Sequence, residues 1–88
     1  MQTTLTREQA IPTLCRLAAE KVSVNPAEVT VDTHLFSDLN FDSLDAVEFT
    51  MTVEDEFDVS IPDSEAEKVR TVRDALDLLF TQMPALGG

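Results

Sequence analysis

The chain has 88 residues and 43% hydrophobic content, enough for one domain with one modest core and too apolar for a disordered segment. Its 17 acidic against 6 basic residues give a net charge of −11, which argues against nucleic acid or an anionic membrane as a partner and for proteins with basic patches. The only two Gly are Gly87 and Gly88, so tight hairpins are hard to build and an all-β fold is disfavoured.

Taken in order, Met1 to Leu5 reads as a frayed start. Thr6 and Gln9 form a capping-box pattern, and Ile11, Leu14, Leu17, Ala18 and Val22 recur at helical spacing, predicting a first helix to about Val22. Pro12 belongs in a first turn, so a short N-terminal turn is expected, with the regular helix beginning near Pro12. Cys15 lies on an apolar stretch and reads as a small core or rim residue, a reactive thiol being the alternative. As the one cysteine it permits no internal disulfide.

Ser23 to Leu39 is a long connection with a brief turn at Asn25-Pro26. Its Val29, Val31, Leu35, Phe36 and Leu39 are apolar enough to be laid over the helices. His34, with no second His or Cys beside it, is assigned to the surface, and no metal or catalytic role is expected for it.

Asn40 tolerates a left-handed backbone and ends this connection. Asp42 stands where an N-cap belongs, with Asp45 three residues on, so Ser43 becomes the first residue of a second helix running to Phe57. Ser43 then lies beside backbone N–H groups without intrahelical partners, a favourable place for a phosphate. A purely local capping role is the alternative for this serine. At about 100° per residue, Phe49, Val53 and Phe57 share one face while Leu44, Val47 and Met51 lie roughly opposite. The second strip, bordered by Glu48, Glu54 and Asp55, reads as an exposed docking strip with an acidic rim; burial against another part of the chain is the alternative.

Pro62-Asp63-Ser64-Glu65 starts a short third helix, expected over about Asp63 to Val69. Thr71 caps a last helix whose core face is Val72, Ala75, Leu76, Leu79 and Phe80, and residues 81–88 read as a loose tail. The fold expected is all-α: a four-helix bundle with three longer helices, one short third helix and a long loop between helices 1 and 2, forming a single domain ordered over about residues 6–80.

Other chemistries are poorly supplied. Asp38-x-Asn40-x-Asp42 copies the start of a calcium loop, but Ser43 and Phe49 stand where Gly and Glu are needed. No nucleophile elbow, phosphate loop or Cys/His cluster is present, so neither a catalytic residue nor a metal site is assigned. No apolar run approaches membrane-spanning length and no signal pattern opens the chain, which predicts a cytoplasmic location without membrane insertion.

Asp42-Ser43-Leu44 resembles the Asp-Ser-Leu attachment motif of acyl carrier proteins. The likeness continues through Asp45, Val47, Glu48, Met51 and Glu54-Asp55-Glu56-Phe57, and resumes at Ile61-Pro62-Asp63, Glu65-Ala66-Glu67-Lys68 and Thr71-Val72. It covers roughly residues 10 to 80. The resemblance implies that Ser43 receives 4′-phosphopantetheine from coenzyme A through a phosphopantetheinyl transferase (a holo-acyl-carrier-protein synthase). The thiol of that arm would carry acyl groups as thioesters between enzymes of fatty-acid, polyketide or specialised lipid biosynthesis. It further implies a non-catalytic monomer that meets ketosynthases, acyltransferases and other enzymes with basic patches through Asp42, Leu44, Asp45, Val47, Glu48, Met51 and Asp55. Acyl chains of this family can tuck between the helices, here beside Phe49 and Ile61.

Asn40 replaces a common Gly, Phe41 a smaller aliphatic residue, and Pro12 is unusual; these departures bear on pathway and leave the carrier role intact. A peptidyl or aminoacyl carrier, or an acidic interaction module without a prosthetic group, are the alternatives.

Overall fold

The structure, a computed structural model, describes residues 6–81; the frayed start expected for residues 1–5 and nearly all of the expected tail lie outside them. Its elements are α1 (Arg7–Val22), a 3₁₀ turn (Pro26–Glu28), α2 (Ser43–Phe57), α3 (Asp63–Ala66) and α4 (Val72–Thr81). The expected bundle is present. Among the described residues the only β pairing is a single antiparallel bridge, His34 to Thr71.

The capping box of α1 forms: the Gln9 N–H donates to Thr6 Oγ1 (3.1 Å) and the Thr6 N–H to Gln9 Oε1 (2.9 Å). The helix therefore begins at Arg7, and the expectation of a start near Pro12 is corrected. Pro12 sits inside α1 and is exposed, so the Glu8 carbonyl it leaves without an intrahelical donor is open to water. The cap and the burial of Ala10 and Leu14 on either side hold the turn helical.

α1 packs against both α2 and α4 and forms the centre of the bundle. Phe49 (2% exposed), Leu14, Leu35, Val53, Val72 and Leu79 make the innermost layer. Complete burial of such a side chain stabilises by about 1.5–3 kcal/mol. Cys15 is buried among them, and that burial raises its thiol pKa. Without internal glycine, the chain turns with positive φ at Ser23 (60°), Asn40 (60°) and Asp58 (55°). Ser23 and Asp58 end α1 and α2.

The long loop does cover the helices. Val29, Leu35 and Leu39 are buried, and Val31 and Phe36 pack partly against the core. It is laced to Arg70 and the first turn of α4 by three backbone bonds: Leu35 N–H to the Arg70 carbonyl (2.8 Å), Val72 N–H to Thr33 (3.2 Å) and Arg73 N–H to Val31 (2.8 Å). His34 is half-buried, and its Nδ1 accepts from the Phe36 (3.3 Å) and Ser37 (3.1 Å) N–H groups, so it staples the loop.

α3 is shorter than expected, ending at Ala66. Beyond it the bonds tighten: the Lys68 N–H reaches Glu65 (3.0 Å) and the Val69 N–H reaches Ala66 (3.2 Å), both three residues back. This turn buries Val69 and brings Thr71 to His34. Thr71 caps α4 as expected, its Oγ1 accepting from the Asp74 N–H (3.1 Å).

Candidate functional site

The site is built from the turn that launches α2. Asn40, in the left-handed region, directs Phe41 inward, where its ring meets Phe49 edge-on at 5.8 Å. Asp42 is extended, and its carboxylate accepts from the Asp45 N–H (2.8 Å) while the Asp45 carboxylate accepts from the Asp42 N–H (3.1 Å). The cap is supplied by Asp42, so Ser43 is not required for it. Ser43 is the first helical residue, exposed, beside helix N–H groups that the box leaves unpaired.

The strip beside it is exposed as expected: Leu44 63%, Val47 54% and Met51 57%. The alternative of a buried strip is thereby excluded. Asp42 and Asp55 are exposed, while Asp45 and Glu48 are half-buried. Glu48 is already engaged, since it accepts from the Lys21 ammonium of α1. Glu48 is the largest cause of the raised pKa of Lys21, and Asp45 and Asp42 add to it at longer range.

Ser43 also stands at the edge of an open groove of about 750 Å³. Its apolar lining comes from Ala46, Val47 and Met51 of α2 on one side and Ile61, Ala66 and Val69 on the other. Ile61 is on this lining, whereas Phe49 lies in the buried core. Glu54 fixes the groove's far side by accepting from the Ile61 N–H (2.6 Å). Phe36 and Arg70 also line it, and neither stands out in the sequence as a site residue. They arrive from the loop and from the segment after α3, so no local pattern connects them to Ser43.

An exposed primary hydroxyl, free helix N–H donors and an apolar groove together suit an anionic ester that continues into a long chain. A model of the phosphopantetheine attachment site family matches residues 12–79. The acyl carrier protein of Thermosynechococcus vestitus is 46% identical over 69 residues, covering 78% of this chain and 85% of that protein. The chain belongs to the acyl carrier protein family.

Solved acyl carrier proteins agree with the fold. That of Enterococcus faecalis superposes with a TM-score of 0.72 at 32% identity, covering 88% of this chain and 98% of that one. That of Thermotoga maritima gives 0.75 at 31% identity, covering 91% and 93%. As an acyl carrier protein the chain bears covalently attached 4′-phosphopantetheine and serves acyl-processing enzymes as a carrier. The thiol of that group holds acyl chains as thioesters. No helix among the described residues is long and apolar enough to cross a membrane.

Proposed function

We propose that Ser43 is the attachment residue. A phosphopantetheinyl transferase would bring coenzyme A to the start of α2. Ser43 Oγ attacks the pyrophosphate phosphorus nearer the pantetheine; the new P–O bond forms as the bond to the adenosine 3′,5′-bisphosphate leaving group breaks, and the hydroxyl proton is lost to solvent or a transferase base. The observation that carries this reading is the release of Ser43 from capping duty by the Asp42–Asp45 box, which leaves its hydroxyl exposed beside the groove.

The partner surface follows from the same helix. Leu44, Val47 and Met51 supply apolar contact, and Asp42, Asp45, Glu48 and Asp55 supply charge complementary to basic patches on ketosynthases and acyltransferases. Such a surface favours fast, exchangeable encounters. Residues 6–81 act as one carrier domain, a monomer in a fatty-acid, polyketide or specialised lipid pathway.

The test is intact mass after incubation with coenzyme A, magnesium and a broad-specificity transferase. A gain of one phosphopantetheine, abolished by Ser43→Ala, is expected. No gain with several transferases, or a gain that survives Ser43→Ala, overturns the assignment. Loading with malonyl against aminoacyl donors then distinguishes an acyl from an aminoacyl carrier.

A further inference from the structure

All six basic residues of this acidic chain lie among the described residues, and five hold a carboxylate within 4.0 Å: Arg7 with Asp77, Arg16 with Glu20 and Glu56, Lys21 with Glu48, Lys68 with Glu65, and Arg73 with Asp32. Among the described residues, Arg70 alone has no such partner. Its Nη1 donates to the carbonyls of Glu67 (2.6 Å) and Val69 (3.3 Å), and its guanidinium lies 5.6 Å from the centre of the Phe36 ring. These contacts hold the cation in place, and among the described residues no acceptor is bound to its Nη2 or Nε. Arg70 lines the same groove as Ser43. The other charged residues of that lining, Glu54, Asp63 and Glu67, are acidic, so Arg70 is the one cationic side chain on the groove.

We propose that Arg70 binds anionic oxygens of the group tethered at Ser43. The inference rests on attachment at that serine. Two sources carry this chemistry: the phosphodiester of the arm, and a carboxylate on the acyl cargo. A guanidinium with free donors, seated over an aromatic ring, is suited to both. With a carboxylated cargo, Arg70 acts as a specificity residue, since an uncharged chain of equal length gains nothing from it.

The experiment loads the full chain from coenzyme A, butyryl-coenzyme A and succinyl-coenzyme A, confirms each product by intact mass, and follows the Arg70 Nε–Hε resonance by NMR. A shift on passing from apo to holo protein supports the phosphodiester as ligand. A shift that separates the succinyl from the butyryl form supports the carboxylate. In the second case the succinyl form also melts higher than the butyryl form, and Arg70→Gln abolishes that difference while Arg70→Lys keeps part of it. An Arg70 resonance unchanged across apo, holo and both acyl forms, with loading confirmed, overturns the proposal and leaves Ser43 attachment standing. Absence of any mass gain overturns both.

Discussion

The Lys21 ammonium of α1 is hydrogen-bonded to the Glu48 carboxylate of α2, at the border of the exposed strip. In the partner surface proposed above, this one acid would serve both the fold and recognition, and a partner's basic group would share Glu48 with Lys21 or displace it. Lys21→Met is therefore expected to lower the KM of a phosphopantetheinyl transferase for the protein by a few-fold at low salt, with the gain fading as salt screens the surface charges. The melting temperature falls slightly. A KM that rises instead would identify Lys21 as a partner contact in its own right.

Alkaline pH should weaken the fold in two stages. Burial raises the Cys15 thiol above its ordinary 9.0, and Glu48 raises the Lys21 ammonium above its ordinary 10.5. In both cases the unfolded chain loses its proton first. The native state then holds more protons than the unfolded state, so stability falls as pH rises. The contribution of Cys15 is complete below pH 9.0 and is lost as pH rises through its higher folded value; that of Lys21 is complete below 10.5 and is lost above it in the same way. Denaturation followed from neutral pH to well above the ordinary 10.5 of lysine should show both stages. Cys15→Ala should remove the first and Lys21→Met the second; a profile identical in all three proteins contradicts this account.

Core and strip should respond oppositely to truncation. Phe49→Ala empties the centre of the bundle and should cost about 3–5 kcal/mol in denaturant unfolding. Met51→Ala removes a side chain that is 57% exposed and should change stability by no more than about 0.5 kcal/mol, while lowering acyl transfer to a synthase. Equal destabilisation by the two variants would place Met51 in the core.

Two backbone positions leave stability unclaimed. Pro12→Ala restores a donor to the Glu8 carbonyl inside α1 and should stabilise by about 1–3 kcal/mol. Asp58→Gly relieves a positive φ of 55° and removes a negative charge from the C-terminal end of α2, for a gain of about 1 kcal/mol. Urea midpoints check both, and a lowered midpoint in either variant refutes the corresponding explanation.

The start of α2 was legible because every determinant is local: Asn40, Asp42 and Asp45 lie within six residues, and the 3.6-residue period separates Met51 from Phe49. The length of α1 is not legible from Pro12 alone: a proline penalty of about 3 kcal/mol looks decisive in isolation, whereas the Thr6 cap and the burial of Leu14 act on the same helix. The groove was only partly legible. The α2 residues Val47 and Met51 follow from helical periodicity, but Phe36 and Arg70 reach the groove through backbone pairing between residues 31–35 and 70–73, which leaves no periodic trace. Nor does any pattern announce that Glu48 meets a lysine 27 positions away.

That backbone pairing gives the groove one stiff jaw and one compliant jaw. Phe36 and Arg70 stand next to residues whose amides and carbonyls are cross-linked between chain segments. Ala66 belongs to a four-residue helix whose N-cap, Pro62, offers no side-chain hydrogen bond. In the reading proposed above, a bulkier cargo that enters this groove should displace α3, and amide exchange across residues 62–68 would register its size before the loop or α4 responds.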